Sequence, residues 1–511
     1  MIHSKDIKNF FFLGIGGIGM SALARYFHHQ GYPVFGYDRT PSPLTRELEK
    51  EGIDITYTDA ERMLYGLGLD RFCTLVVRTP AVPEDCEIYT YFRKEGFDIR
   101  KRAEVLGIVT RGEASGNVGE ASGNAGEASG NAGEASGEGG KQMKALCVAG
   151  THGKTTTSTM IAHLMNGGNE AASESHAGVN AFLGGISENY HTNLLLSKES
   201  EYVVVEADEY DRSFHHLTPY ISVVTAVDAD HLDIYGTAEA YREAFAHYTS
   251  LITGALVMKH GIELEPRLRE GVKCYTYGVE ESRELRAESR EPRAESQEAG
   301  MPDFYAKNIR IADGQIVFDF KMPDGEIKDV QLGVPVWVNI ENAVAAMAVA
   351  HLCGVKDETM REAMASFKGV QRRFNIHVNT PKVAYIDDYA HHPQEIATAI
   401  DSIRKLFPER KLIGVFQPHL YTRTRDFADG FRAVLGTLDE CVLLPIYPAR
   451  EEPIEGVTSE MLGGEVVEKP ALVAELKRRV QESNEPVVVL TVGAGDIDRL
   501  VPEITRALKE E

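Results

Sequence analysis

An apolar run, Ala145–Ala149, leads directly into Gly150-Thr151-His152-Gly153-Lys154-Thr155-Thr156, and a helical pattern over Thr155–Asn166 follows. No other stretch of the 511 residues constrains the fold as strongly. A glycine turn between a buried strand and a helix leaves the first helical amides unpaired around one point, which makes a cradle for phosphate. The spacing G-x-x-x-x-G-K-[ST] fails because Val148 stands where the first glycine belongs, so Gly150-x-x-Gly153-Lys154-Thr155 is a shortened form. The physics is unaffected. Amides from Gly150 to Thr156 can face β- and γ-phosphates, Lys154 adds positive charge, and the Thr155 hydroxyl can ligate Mg²⁺.

Acidic residues follow on the next two strand candidates. Tyr202–Glu206 runs into Asp208 and Glu209, and Ile221–Val227 runs into Asp228-Ala229-Asp230-His231-Leu232-Asp233. Carboxylates at the carboxyl ends of parallel strands beside a phosphate loop are the expected magnesium partners. On its own, His231 reads as an ordinary capping histidine, and His215 and His216 read as surface residues. A second glycine turn lies near the N-terminus. Gly14-Ile15-Gly16-Gly17-Ile18-Gly19 follows the strand candidate Asn9–Leu13 and precedes a helix over Met20–His29, and Asp38 closes the next strand. That is a diphosphate-binding fingerprint with an acid placed for a ribose. A nicotinamide cofactor is the first reading, but no hydride-transfer constellation follows, and the same cradle holds the diphosphate of a UDP-sugar equally well.

Short β-rich runs alternate with helical patterns along the whole chain, the signature of α/β folds. The other strand candidates are Thr74–Val77, Val383–Ile386, Leu412–Phe416, Cys441–Pro445 and Val487–Val492, and the other helices are Asn339–Cys353 and Pro393–Leu406. Two segments read as insertions. Residues 112–139 are four tandem heptads of the GEASGNA type with no large apolar residue to form a coiled-coil seam, so their composition suits a flexible tether. Residues 281–299 repeat Arg-Ala-Glu-Ser around Pro292 and read as a disordered loop. The expected organisation is an N-terminal domain over 1–111, the insertion 112–140, a central domain over 141–375 and a C-terminal domain over 376–511.

A net charge of −23 gives no bulk attraction for nucleic acid or an anionic membrane, so any anionic ligand must meet a local cationic cleft. The six cysteines lie far apart without a Cys-x-x-Cys pair, which argues against a zinc ribbon and suits a reducing compartment. Glycines 14, 16, 17 and 19 break the one run that could pass for a signal peptide. No apolar stretch approaches the ~20 residues of a membrane span. A cytoplasmic location is the expectation.

The ordered set GIGGIGMSALA, AGTHGKTTT, VEADEYDRSF, DADHLD, FQPHLYTRTRDF, YPAREEPIEGV and GAGDI resembles the Mur ligase family across essentially the whole chain outside the two insertions. The resemblance implies three α/β domains: an N-terminal Rossmann-like UDP-binding domain, a central P-loop ATPase-like sheet and a C-terminal Rossmann-like domain. It implies ATP and Mg²⁺ as cofactors, and UDP-N-acetylmuramate and L-alanine as substrates joined by an amide bond through an acyl phosphate. A family variant that takes a preformed tripeptide is the alternative. A monomer or homodimer is expected. By position in the family, Gly16, Gly17, Ile18, Gly19, Ser21 and Asp38 would hold the UDP-substrate rather than a nicotinamide. Gly150, Thr151, His152, Gly153, Lys154, Thr155 and Thr156 would hold the ATP phosphates, and Asn339 and Asn342 would contact adenine. Thr155, Glu206 and His231 would be the magnesium ligands. Arg372 and Asp387 would approach the nucleotide, while His391, His392, His419 and Arg423 would face the substrates. Lys154, Glu206, His231 and Arg423 are the expected catalytic set. Family members often carry Arg where Leu420 stands and a Ser pair where Thr79-Pro80 stands.

Overall fold

A computed structural model describes residues 7–111, 143–168, 178–228, 232–280, 300–312, 315–449 and 451–510. Both insertions and His231 lie outside the described residues. Two compact units emerge: Met1–Lys307 with Asp319–Val330 and Asn342–Ser366, and Asn308–Phe318 with Gln331–Glu341 and Phe367–Glu511.

The first unit opens with β1 (Asn9–Leu13), β2 (Val34–Tyr37), β3 (Asp54–Thr56), β4 (Thr74–Arg78) and β5 (Asp98–Lys101). They form an all-parallel sheet in the order β3-β2-β1-β4-β5. Phe10 and Phe12 point to one face and Phe11 to the other, where it meets Phe92 at a ring separation of 4.9 Å. A parallel sheet covered by helices on both faces requires such a continuous apolar run. Strand order reverses beside β1, so the glycine turn after it sits at the crevice where such sheets bind ligands.

The second sheet uses β6 (Lys144–Ala149), β7 (Asn180–Phe182), β8 (Leu194–Leu195), β9 (Tyr202–Glu206), β10 (Pro219–Val224), β11 (Ala255–Lys259), β12 (Lys273–Val279), β13 (Phe304–Ala312), β14 (Gln315–Met322) and β15 (Gly325–Gln331). Its order is β15-β14-β13-β12-β11-β10-β6-β9-β7-β8. β6 lies between two later strands, again a switch point, and the phosphate loop leaves its carboxyl end. Helix Lys154–Met165 follows and buries nearly its whole length.

The second unit carries β16 (Asn375–Asn379), β17 (Val383–Asp388), β18 (Lys411–Phe416), β19 (Glu440–Leu443), β20 (Glu465–Val466) and β21 (Val487–Val492). They are ordered β16-β17-β21-β18-β19-β20, parallel apart from β16. Strands Asn9–Leu13, Tyr202–Glu206 and Val487–Val492 and helix Pro393–Leu406 fall where the sequence places them. The expected strand Ile221–Val227 instead spans Pro219–Val224, because the Thr225 side chain turns to the phosphate loop. The expected strand Cys441–Pro445 ends at Leu443, ahead of a proline with no N–H for the ladder. His215 is half-buried rather than on the surface, stacked on Phe214 with its Nε2 beside the Ala244 carbonyl.

Candidate active site

The phosphate loop is braced from β10. The Thr225 hydroxyl donates to the His152 carbonyl and the Thr225 amide to Ala149, while the Thr151 hydroxyl donates to the Asp228 carbonyl at 2.8 Å. Gly150 has φ +131°, and a Cβ there would lie 2.2 Å from Thr225 Oγ1, so the turn admits only glycine. Asn342 Oδ1 accepts from the Thr157 hydroxyl at 3.2 Å, which sets the side chain against the loop. Asn339 donates to the Val334 carbonyl at 3.4 Å in the other unit.

Lys154 folds over its own loop. Its Nζ donates to the carbonyls of Gly150 (2.6 Å) and Thr151 (3.2 Å) and to Glu209 Oε1 (2.8 Å). Burial works against the ammonium, yet Glu209 and Glu206 outweigh it and raise the Lys154 pKa. Burial pushes the Glu209 carboxyl well above the usual range, with Lys154 pulling it back. Beside them, the Thr155 hydroxyl donates to Glu206 Oε2 at 2.9 Å. Glu206 has room only because residue 184 is glycine, since a Cβ there would sit 1.7 Å from its Oε2. A hydroxyl and a carboxylate side by side are hard oxygen donors, the set Mg²⁺ prefers. The third expected ligand, His231, is among the undescribed residues. No group of three or more His, Cys, Asp or Glu comes together as a metal site among the described residues.

The N-terminal glycine turn faces the same region of this unit. A cavity of ≈240 Å³ is bounded by Gly17, Ile18, Gly19 and Met20 on one side and by Gly184, Glu206 and Asp208 on the other. Thr79 and Arg102 also line it, and Arg102 Nη2 donates to Asp208 Oδ2 at 2.9 Å. Asp38 Oδ2 accepts from the Gly16 amide at 2.8 Å and Oδ1 from the Thr40 amide at 3.2 Å, so this carboxylate shapes the turn itself. Ser21 is fully buried away from the cavity, its hydroxyl donating to the Ile18 carbonyl. Asn193, also fully buried, fastens the turn: its Nδ2 donates to the Ile18 carbonyl (2.7 Å) and the Ser21 hydroxyl (2.9 Å), while its Oδ1 accepts from Arg25 (2.6 Å). Arg102 and Asn193 escape the sequence reading, because each reaches the site from a segment without a glycine turn or an acidic strand end, and Gly184 escapes it although Gly184-Gly185 turns the chain just after β7. Only the dipeptide Asp208-Glu209 carried a signal, as acids trailing a buried strand.

In the second unit, Arg372 donates to the Gly493 carbonyl (2.7 Å) and reaches Asp387 Oδ2 (3.4 Å). Asp387 is buried, which raises its pKa against the pull of Arg372, and it accepts from the Thr491 hydroxyl at 3.1 Å. Burial pushes the Asp388 carboxyl up to about 6 although it accepts from the Phe374 and Ala390 amides. Four expected substrate residues gather here. The rings of His391 and His419 are 6.4 Å apart, His419 stacks on Tyr447, and His392 lies edge-on to Phe427 at 4.5 Å. His391 is lowered by burial, against Glu395, with the positive charge of Arg423 adding to the fall. Arg423 is on the helix Tyr421–Asp426, and Leu420 before it adopts φ +70°.

Three family descriptions match in order. The Mur ligase family catalytic domain covers residues 9–113, the Mur ligase middle domain 148–350, and the Mur ligase glutamate ligase domain 372–495. The chain is 50% identical over 512 aligned residues to a UDP-N-acetylmuramate–L-alanine ligase of Phocaeicola vulgatus, covering 99% of each. It is 51% identical to the protein of the same name from Parabacteroides distasonis, covering 98% of this chain and 96% of that one. Among solved structures, a UDP-N-acetylmuramate–alanine ligase of Thermotoga maritima matches with a TM-score of 0.73 at 26% identity, covering 98% of this chain and 99% of that one. Two glycine turns at the switch points of two parallel sheets, and full-length identity near one half, lead to one conclusion: this chain belongs to the Mur ligase family.

Proposed function

We propose that this chain joins L-alanine to the lactyl carboxylate of UDP-N-acetylmuramate at the expense of ATP, giving the amide, ADP and phosphate. The observation that carries the reading is the single cavity bounded by the N-terminal glycine turn on one side and by Glu206 on the other, with Glu206 bonded to the phosphate-loop Thr155. A substrate diphosphate at the first helix start and a triphosphate at the second would meet across it. The names of the full-length relatives support the choice of substrates.

A carboxylate cannot acylate an amine directly, because the leaving group would be oxide. A lactyl carboxylate oxygen attacks the γ-phosphorus of ATP, ADP departs, and the resulting acyl phosphate is attacked at its carbonyl carbon by the alanine nitrogen. Phosphate then leaves and the nitrogen loses a proton. The protein's work is positioning and charge stabilisation. Loop amides from Gly150 to Thr156 hold the phosphates, Lys154 offsets the negative charge on the transferred group, and Asn342, with Asn339, is assigned to the adenine side. Thr155 and Glu206, with His231, would hold Mg²⁺, which supplies charge neutralisation at the phosphates. Gly16 to Gly19 bind the substrate diphosphate, while Asp38 and Ser21 act by shaping that turn. Arg372 and Asp387 are assigned to the nucleotide, and His391, His392, His419 and Arg423 to the amino acid and carboxylate.

The test is phosphate release from ATP with UDP-N-acetylmuramate plus L-alanine, glycine, L-serine or a muropeptide tripeptide in parallel. Release that needs both the UDP-substrate and L-alanine supports the reading. Preference for the tripeptide would replace it with the recycling variant, and hydrolysis without the UDP-substrate would sink it.

A further inference from the structure

Lys154 carries three ammonium protons, and all three have partners: two carbonyls of its own loop and Glu209. A β- or γ-phosphate oxygen can engage Nζ only when one acceptor yields. The carbonyls are neutral and fixed by the turn. Glu209 is the anion, and a second anion arriving at the same ammonium repels it. Among the described residues, Lys154 is the one cation bonded to that carboxylate, which otherwise draws only on its own backbone amide. Its side chain is 2% exposed, its Oε2 has no hydrogen-bond partner among the described residues, and its sequence neighbour Asp208 is another acid. The Glu209 carbonyl accepts from both the Tyr235 hydroxyl and the Arg212 amide, which fixes the backbone from which this buried side chain springs. Losing Lys154 would therefore leave a buried charge unpaired.

We infer that Glu209 is a positioning residue for Lys154, whose carboxylate holds the ammonium over the loop and competes with the nucleotide phosphates for it, so that Glu209 sets the affinity for ATP. This rests on the phosphate-loop reading above. Glu209→Gln keeps an acceptor for Nζ and removes the charge. ATP and AMP serve as probes in the presence of Mg²⁺, AMP having no β- or γ-phosphate for Lys154 to reach. Glu209→Gln should bind ATP at least about tenfold more tightly, since tenfold is about 1.4 kcal/mol and one charge contact at an effective dielectric of about 20 is worth about 4 kcal/mol. Its AMP affinity should stay unchanged, so the gain is read as a rise in the ratio of ATP to AMP affinity. Glu209→Ala, a second variant in case the first does not fold, should also tighten ATP. A merely structural glutamate would lower kcat and melting temperature without tightening ATP. Unchanged or weaker ATP binding in both variants overturns the inference, as does equal tightening of AMP. If the wild-type chain binds AMP and ATP equally, the phosphate-loop reading itself falls and takes the inference with it.

Discussion

Gly184→Ala isolates the geometry at the centre of the site. The backbone there lies outside the left-handed region, so alanine brings no intrinsic strain; its methyl meets the Glu206 carboxylate and, less severely, Thr155 Oγ1 at 3.1 Å. The Cβ would stand 1.7 Å from Glu206 Oε2 and 2.7 Å from Cδ, less than half and about two-thirds of ordinary carbon–heavy-atom contact. Glu206 must rotate off Thr155, losing a charged hydrogen bond worth about 1.5–3 kcal/mol. Restricting the unfolded chain returns about 0.4–1 kcal/mol, so the net loss of about 0.5–2.6 kcal/mol lowers Tm by only a few degrees. Catalysis should suffer far more. Misplacing one preorganised group that faces developing charge costs about 10²–10³ in kcat. The assay is steady-state phosphate release beside a thermal melt, with Glu206→Ala and the double variant for comparison. The double variant should be no slower than Glu206→Ala alone, since both substitutions remove the same contact. A Gly184→Ala enzyme within about twofold of wild-type kcat would refute the assignment of Glu206.

Lys154→Ala should cost several kcal/mol of transition-state stabilisation, read as a fall in kcat/KM; near-wild-type turnover would remove the phosphate-loop assignment. Deleting residues 112–139 should leave kcat nearly unchanged, because lengthening a connection costs little and this composition builds no core; a large loss measured on the deletion would give the segment a role. Asp388 makes a pH prediction. Its unfolded pKa lies near 3.9 and burial raises the folded value to about 6, so between the two the folded state keeps a proton that the unfolded state has released. The sign follows: its contribution is full below about pH 4 and is lost as pH rises through about 6, by at most ~3 kcal/mol. Melting temperatures of Asp388→Asn across pH 4 to 7 should show a shallower fall than wild type; an identical slope would contradict the account.

Local chemistry carries most of what was legible in the sequence. Glycine turns between apolar strands and helices located both switch points, and acids trailing Tyr202–Glu206 located the carboxylates beside Lys154 and Thr155. The strand-end error at Ile221–Val227 came from tertiary structure: at Thr225 the amide still bonds to Ala149, but the side chain braces the His152 carbonyl and the chain leaves the sheet there. Arg102, Gly184 and Asn193 were illegible for a related reason. Asn193 meets Ile18 across 175 residues, and Gly184 matters for the room it leaves to the Glu206 carboxylate. Asp38 shows the reverse case. Its spacing suggested a ribose contact, while its carboxylate is engaged by the Gly16 and Thr40 amides. Periodicity and spacing find the turns; they do not reveal which distant polar group closes over them.

The central claim is a phosphorylated carboxylate, and oxygen labelling tests it most directly. UDP-N-acetylmuramate carrying ¹⁸O in its lactyl carboxylate is turned over with ATP and L-alanine, and the inorganic phosphate is weighed by mass spectrometry. Acyl-phosphate chemistry sends one carboxylate oxygen into the released phosphate and keeps the other in the amide. Unlabelled phosphate alongside a fully formed amide product would contradict the account.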